Sequence, residues 1–404
     1  MKLVIKLAAV MVFLAVVISV SFLLGFGTGQ VVDLPSWPQG FASLAPTPNP
    51  AGDLNERFQV FWDVWHIVED EFYGDRPDTQ KMIYGAIRGM LATLNDPNTA
   101  FSDPVYTEIE HSNMEGHFGG VGVEIRMVNG NLIIVKPIEG TPGERAGLLP
   151  GDIITHVDGK AIKGLDVVEA MALIRGPEGT KVVLTIQREG KEPFDVTIIR
   201  ERIPIRTVEY EMLDGGVAYI LLRQFDGNAT KEVRRAYTEL AKQNPKALIL
   251  DLRGNPGGLL GEAISVASQF LPEGALVAIE RDRDGEQKFT AQGDGVAPNI
   301  PLVVLINQNS ASASEIVAGA LQDHGRAKLI GETTYGKGSV QNVHDLRDGS
   351  SVRVTIAHWL TPRGRLIHEK GLDPDIVVAL TEDDLKAGRD PQLDRAVEYL
   401  TTGK

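Results

Sequence analysis

Hydrophobic and polar residues are spaced differently in successive parts of the chain. Residues 54–112 repeat apolar side chains every three or four positions, which is typical of amphipathic helices. From about Gly116 to Arg202, apolar and polar positions alternate, and this predicts β-strands. Beyond Pro204, apolar runs such as Ala247–Gly254 alternate with helical patterns, so we expect an α/β layer architecture there.

The longest apolar run lies near the N-terminus. From Leu7 to Gly27 the chain carries no charge, and a helix of that length crosses ~30 Å of hydrocarbon. Two lysines precede the run and favour a cytoplasmic N-terminus. We therefore expect residues 1–30 to be a single-pass membrane anchor, with the rest of the chain periplasmic or extracellular. A cleaved signal peptide is the alternative, but the run is longer than usual for one and no clear cleavage site follows.

Composition excludes several kinds of partner. The 404 residues carry a net charge of -14 with a pI near 5.1, which repels nucleic acid. The absence of cysteine excludes thiol nucleophiles, disulfides and zinc-thiolate sites, and the 8 histidines form no pair at metal-ligand spacing. We therefore expect no nucleic acid partner, no metal and no cofactor.

Two glycine-containing motifs in the alternating region belong together. HFGGVGVEI at 117–125 and AGLLPGDIITHVDG at 146–159 resemble, in combination, a PDZ domain, a module that binds peptides. The resemblance implies a loop whose backbone N–H groups capture a terminal carboxylate, followed by a strand that pairs with the peptide. The residues expected in this loop are Gly119, Gly120, Val121 and Gly122. Arg175, at the end of the next helix, is either a solvated cation or a contact to the neighbouring domain.

A serine-rich motif follows the apolar strand pattern Pro301–Gln308. NSASASEIVAGAL, at 309–321, alternates three serines with small residues and then continues as a helix. The start of a helix has unpaired N–H groups, which stabilise a developing negative charge. Ser312 could therefore be a nucleophile. It also starts a capping box with Glu315, in which its hydroxyl would only cap the helix. On this local pattern alone the cap is the commoner use.

Two further motifs decide between these alternatives. GNPGGLL lies at 254–260, and GETTYGKGSVQNV, at 331–343, places Lys337 between two glycines. These motifs and the serine motif, downstream of a PDZ-like segment, resemble the C-terminal processing peptidases, a family of serine-lysine proteases. The resemblance covers nearly all of the chain after residue 53.

The resemblance implies a role for each matching residue. Ser312 would be the nucleophile, Lys337 the general base, and Gln341 the group that positions the lysine. Backbone N–H groups of Gly258 and Ala313 would form an oxyanion hole. The core would have the crotonase-like α/β fold of the family, and the substrates would be proteins or peptides with free C-termini.

A lysine can act as a base only if its environment lowers the pKa from ~10.4. We therefore expect Lys337 to be buried with no carboxylate beside it, and Gln341 to orient its amine as a neutral acceptor. In an extended strand these two residues would lie ~13 Å apart, so the chain must bend around Gly338. An exposed lysine on a glycine loop is the alternative for this segment in isolation.

Two other classes of protein are less consistent with the motifs. A membrane-tethered PDZ scaffold with an inactive core would lack the serine and lysine. A trypsin-like protease would carry GNSGG with an upstream histidine and aspartate, whereas this chain has GNPGG. The sequence does not decide whether the protein forms a homo-oligomer or acts with a regulatory partner. The predicted segments are an anchor at 1–30, a Pro-rich linker at 31–53, a helical region at 54–112, the PDZ domain at 113–203, the catalytic core at 204–380 and a helical tail at 381–404.

Overall fold

A computed structural model of the protein describes residues 54–75 and 78–403. Within these residues, no helix combines the length and the apolar character needed to span a bilayer. The predicted anchor at 1–30 and the linker at 31–53 lie outside the described part of the chain.

The chain divides into two compact units, 1–77 and 78–404, which are described separately. The described part of the first unit contains helix α1, Leu54–Glu71. Aromatic side chains along α1 contact one another, with the ring centroids of Phe61 and Trp65 6.0 Å apart.

The second unit begins with helices α2, Thr79–Ala92, and α3, Pro104–Glu115, on either side of strand β1, Ala100–Ser102. Asp103 caps α3 by accepting a hydrogen bond from the backbone of the first turn. Gly116 ends α3 with a φ of 73°, a left-handed conformation that glycine adopts at little cost. The chain can therefore turn directly from α3 into the next strand.

The PDZ-like segment folds around its own hydrophobic core. Its sheet has the order β3-β4-β5-β7-β8, with β6 paired to β5. Ile134, Ile154 and Leu184 are fully or almost fully buried in its centre. The strands are β3 Val123–Val128, β4 Asn131–Pro137, β5 Ile153–Val157, β6 Lys160–Ala161, β7 Lys181–Gln187 and β8 Phe194–Ile199. The helices are α4 Pro142–Arg145 and α5 Val167–Ile174.

A separate two-stranded ribbon brings the two ends of this module together. Strand β2, His117–Gly120, pairs antiparallel with β9, Glu201–Pro204. The chain therefore enters and leaves the PDZ-like segment through adjacent strands.

The C-terminal part is built on a sheet of order β10-β11-β12-β15-β16-β19. Strand β10 is antiparallel to β11, and the other neighbouring pairs are parallel. Its strands are β10 Val208–Leu213, β11 Val217–Leu222, β12 Ala247–Asp251, β15 Leu302–Ile306, β16 Lys328–Gly331 and β19 Ile376–Val377. Strands β12 and β15 are buried at every position, as expected of central parallel strands.

Helices cover both faces of this sheet. Three contribute to the larger core on one face, where Val233, Ala263 and Val317 are fully buried. The C-terminal helix contributes Ala396 to a core on the other face. The helices are α6 Ala229–Ala241, α7 Leu260–Ala267, α8 Ala313–Asp323, α9 Glu382–Lys386 and α10 Pro391–Thr402.

A second sheet completes the C-terminal part. It has the order β1-β18-β13-β14, and β17 pairs with β18. Trp359 of β18 lies in the larger core and contacts Phe289 with ring centroids 5.8 Å apart, so it ties this sheet to the helical layer. The strands are β13 Leu276–Arg281, β14 Glu286–Thr290, β17 Ser339–Asp345 and β18 Ser351–Leu360.

Candidate active site

The three serines after β15 have different surroundings. Ser310 is fully buried and its hydroxyl donates to Leu252 O at 2.8 Å. Ser314 is also fully buried and donates to Asn255 O at 3.0 Å. Both hydroxyls therefore hold backbone segments together. Ser312 is half-buried, and its hydroxyl faces the backbone of the first turn of α8 without forming a standard cap hydrogen bond. Of the three, Ser312 has the hydroxyl that is not bound to a distant backbone carbonyl; it lies in the capping-box position, opposite the backbone N–H of Glu315.

The backbone of Ser312 is strained. Its φ of 53° and ψ of -112° lie in a region that serine rarely adopts, whereas an ordinary N-cap residue is extended. Such strain persists only where the surrounding structure enforces it, and it is concentrated at functional sites. The sharp strand-to-helix turn presents the side chain at the carboxyl end of β15, as the nucleophile turns of hydrolases do.

The glycine-rich turn after β12 lies directly against Ser312. A Cβ added to Gly257 would meet Ser312 Cβ at 2.8 Å and Ala313 N at 3.0 Å, so only glycine fits. Asn255, fully buried, fixes both turns: its Oδ1 accepts from Gly257 N at 2.9 Å, and its backbone O accepts from Ala311 N at 3.0 Å. The two turns therefore form one rigid unit.

Two backbone N–H groups in this unit have no acceptor among the described residues. Gly258 N is unpaired because Phe225 bonds to the residues on either side of it: Phe225 N donates to Gly257 O, and Leu259 N donates to Phe225 O. Ala313 N is the first N–H of α8 and has no partner within the helix. They are the two groups that the resemblance assigns to an oxyanion hole, and that role stays a prediction.

Glu315 connects the serine to the lysine segment. The side chain is fully buried, and each carboxylate oxygen accepts two hydrogen bonds. Oε1 accepts from Thr334 Oγ1 at 2.6 Å and from Gly336 N at 2.7 Å. Oε2 accepts from Ser312 N at 2.8 Å and from Lys337 N at 2.9 Å. One oxygen atom thus holds the backbones of both candidate catalytic residues.

Lys337 is half-buried beside the serine turn. Burial lowers the pKa of its amine, and the positive charge of Arg353 lowers it further, while Glu110 and Glu315 act in the opposite direction. Among the described residues, no carboxylate forms an ion pair with the amine, and Glu315 binds the backbone N–H of Lys337 instead. In this structure the amine does not hydrogen-bond the Ser312 hydroxyl; such contacts are often long in unliganded enzymes and tighten with substrate.

Gln341 lies on β17 and does not hydrogen-bond the lysine amine. Its amide nitrogen donates to Ser339 Oγ at 2.8 Å and to Thr355 Oγ1 at 3.3 Å, which leaves its carbonyl oxygen available as an acceptor. No turn or bend is assigned at Gly338, where one was expected; Lys337 precedes β17, and the irregularity of the strand lies between Val340 and Gln341.

The predicted carboxylate loop is shorter than expected. Gly119 and Gly120 lie in strand β2 rather than in a loop. The physical reason is a close approach of two backbones, since a Cβ on Gly119 would lie 2.1 Å from Gly176 O. Val121 and Gly122 form the turn into β3, and their N–H groups have no acceptor among the described residues.

Arg175 lies beside strand β2. Its guanidinium carbon is 3.9 Å from the ring centroid of Phe118, and its Nε and Nη1 atoms are buried without a partner. Burial lowers its pKa, opposed by Glu108 of α3. The side chain lines a cavity of about 740 Å³ whose lining residues all precede Pro204, so its neighbours are β2 and α3 rather than the sheet that carries Ser312.

Within the described residues, no cluster of three or more histidine and carboxylate side chains could hold a metal ion. The chemistry that this arrangement offers is that of a hydroxyl, an amine of lowered pKa and two free N–H groups. Combined with a PDZ-like module, these features define the class of serine peptidases that carry a peptide-binding domain.

Comparison with known proteins identifies the family. The chain matches the model of peptidase family S41 over residues 216–378 and that of a PDZ domain over 133–188. It is 38% identical to the carboxy-terminal processing protease CtpA of Bacillus subtilis, over 81% of this chain and 70% of that protein. It is 40% identical to the carboxy-terminal-processing protease of Bartonella bacilliformis, over 82% and 77% respectively. The protein therefore belongs to the S41 family of carboxy-terminal processing proteases, which are serine peptidases.

A solved structure shows a similar fold. A putative S41 protease from Bacteroides fragilis superposes with a TM-score of 0.50 over 85% of this chain and 97% of that one. The two sequences are 17% identical, so this likeness concerns the fold alone.

Sequence reasoning missed the functional importance of several residues. Glu315 was recognised only as half of a capping box, and its bonds to the lysine segment are long-range. The position of Asn255 gave a local indication, since this polar residue lies inside a glycine-rich turn that directly follows an apolar strand. Arg353 and Glu110, which influence the pKa of Lys337, had no signal in the sequence.

Proposed function

We propose that this protein is an endopeptidase in which Ser312 and Lys337 cleave peptide bonds through an acyl-enzyme. The neutral amine of Lys337 takes the proton of Ser312 Oγ as the oxygen attacks the carbonyl carbon. The oxyanion accepts hydrogen bonds from Gly258 N and Ala313 N. The lysine then gives its proton to the leaving amine. Lys337 then removes a proton from a water molecule as this water attacks the ester. The lysine finally returns the proton to Ser312 Oγ, which is the leaving group.

The observation that carries this proposal is the shared carboxylate of Glu315. Its Oε2 atom accepts hydrogen bonds from the backbone N–H groups of both Ser312, whose backbone is strained, and Lys337, whose amine has a lowered pKa. A helix cap alone would explain neither the φ of Ser312 nor the burial of Lys337. Gln341, with a free carbonyl oxygen, would orient the amine during the reaction without raising its pKa as a carboxylate would.

We also propose that the PDZ domain recognises the C-terminus of the substrate. The free N–H groups of Val121 and Gly122 would receive the terminal carboxylate, and β3 would pair with the peptide. The glycine pair Gly119 and Gly120 would allow the close backbone packing behind this turn. In the same proposal Arg175, next to α3, links the PDZ domain to the rest of the protein and helps it to gate the site.

Three parts of the proposal concern architecture and location. The parallel sheet with a glycine turn next to a helix start supports a crotonase-like core. The apolar run from Leu7 to Gly27 supports a membrane anchor with the peptidase outside the cytoplasm. All the groups of the proposed mechanism come from one chain, so the mechanism itself does not call for a homo-oligomer or a regulatory partner.

The decisive experiment compares the wild-type enzyme with Ser312→Ala on an unfolded protein substrate. We expect cleavage by the wild type and none by the variant, because no other hydroxyl of the motif is free. Retained cleavage by Ser312→Ala would contradict the nucleophile assignment.

A second experiment tests the PDZ domain. Two model substrates would differ only in a free or an amidated C-terminus. We expect the substrate with a free C-terminus to be cleaved faster, because amidation removes the negative charge of the carboxylate to which the N–H groups of Val121 and Gly122 would donate. Equal rates would remove the PDZ domain from the recognition step.

A further inference from the structure

Strand β17 has one free edge. Among the described strands it pairs only with β18, and the hairpin closes with a hydrogen bond of 2.7 Å from Leu346 N to Ser350 O. Because hydrogen-bonded pairs alternate along an antiparallel ladder, the backbone N–H and C=O of Val343 and Asp345 point away from β18. No described residue occupies these groups.

Features that prevent pairing are confined to the two ends of the edge: the register shift between Val340 and Gln341, and the charge of Asp345. Proteins protect free edges with lysine or proline, and β17 contains neither in the sequence SVQNVHD. Val343 leaves 54% of its surface exposed in the middle of the strand. Gln341 donates to Ser339 and Thr355, and Asp345 Oδ1 lies 3.2 Å from His111 Nε2 at the end away from the active site. The strand is therefore open to a partner strand.

The same strand continues directly into the active site. It begins two residues after Lys337 and contains Gln341. The backbone of Lys337 shares Glu315 Oε2 with the backbone of Ser312. A chain paired with β17 would therefore run beside the segment that carries Lys337, and a peptide held in a fixed extended form meets the orientation requirement of attack.

We propose that the free edge of β17 binds an extended, unstructured segment of the substrate polypeptide as an added strand. Backbone hydrogen bonds to residues such as Val343 would supply binding that tolerates many sequences. The proposal rests on the proposed function of Ser312, because it concerns how the chain to be cut is held. It assigns to this strand a role distinct from that of the PDZ domain, which would hold the C-terminus.

The test uses three variants and one unfolded polypeptide substrate. Val343→Pro removes the outward N–H, a change that edge strands tolerate. Val343→Ala removes the side chain and keeps the N–H. Val377→Pro is a matched control, because Val377 leaves 76% of its surface exposed on edge strand β19 of the other sheet. Its N–H also points outward, since the next residue, Val378, donates inward to Gly331 O.

We expect Val343→Pro to raise KM about five- to tenfold, the value for loss of one hydrogen bond. Val343→Ala should raise KM less than Val343→Pro, and Val377→Pro should leave it unchanged. Equal KM values for Val343→Pro and the wild type would overturn the proposal. So would equal increases in Val343→Pro and Val377→Pro, since these would reflect a general effect of proline.

A second measurement does not depend on the folding of any variant. The wild-type enzyme would cleave a series of peptides, each with one backbone nitrogen methylated. Pairing with an edge predicts slower cleavage for methylation at alternate positions, because successive N–H groups of a strand point to opposite sides. No dependence on position would overturn the proposal. Failure of the proposed function is distinguishable, because Ser312→Ala would then cleave the unmodified peptide as the wild type does.

Discussion

Glu315→Gln tests whether the buried carboxylate organises the active site. The carboxylate accepts four hydrogen bonds, two at each oxygen. Glutamine is similar in size but has one acceptor oxygen, and its amide NH₂ would face two donors. If the NH₂ replaces Oε2, the N–H groups of Ser312 and Lys337 lose their acceptor. If it replaces Oε1, Thr334 and Gly336 do.

The magnitude follows from two opposing effects. In either orientation two buried donors lose their acceptor, at about 1–3 kcal/mol each, or ~2–6 kcal/mol in the free energy of unfolding. Burial raises the pKa of Glu315, so removing its charge returns part of that cost. We expect the lost hydrogen bonds to dominate, because all four lie in fully or partly buried surroundings, and we place the net loss of stability near the lower end of the range.

The effect on activity should be larger than the effect on substrate binding. A shift of about 1 Å between nucleophile and base can lower the rate ~10²-fold. We therefore expect kcat to fall by about that factor while KM changes little, measured with the polypeptide substrate alongside urea unfolding. Glu262→Gln is the control, because the Glu262 carboxylate also accepts two hydrogen bonds, from Thr230 N and Oγ1 at 2.8 and 2.5 Å, but none from the serine or lysine segment. If Glu315→Gln kept both the stability and the kcat of the wild type, the organising role would be refuted.

Three further predictions concern the base and the oxyanion turn. Lys337→Arg should be as inactive as Lys337→Ala, because arginine does not release its proton; substantial activity of a folded arginine variant would contradict the role of base. If Lys337 acts as the neutral amine, as proposed, kcat/KM should rise with pH through its lowered pKa. Arg353→Gln should move this rise to higher pH and Glu110→Gln to lower pH, and pH profiles that shift in the same direction would contradict the assigned charges. Asn255→Ala should reduce stability by ~1–3 kcal/mol in urea unfolding and also lower kcat, because Gly257 N loses its acceptor; an unchanged kcat would separate this turn from catalysis.

The sequence predicts the parts of this protein that depend on local patterns. Alternating β and helical periodicity indicated an α/β core, and the motif around Ser312 indicated a strand-to-helix turn, which the structure contains. It did not indicate that Gly119 lies in a strand, because the reason is contact with Gly176, far along the chain. Nor did it reveal the strained φ of Ser312, which depends on the packing of the glycine turn against it.

The carboxylate that binds the backbone of the proposed catalytic lysine shows most clearly why spacing alone is insufficient. Judged by neighbours in sequence, Lys337 has no acid nearby, yet Glu315 binds its backbone. A free carboxylate there would keep the amine protonated and so prevent base catalysis. All the hydrogen bonds of Glu315 go to backbone and hydroxyl donors, and among the influences on the pKa of Lys337 burial is the largest. The acid can therefore set the geometry of the base while the amine still loses its proton. We expect its replacement to impair catalysis through position rather than through charge.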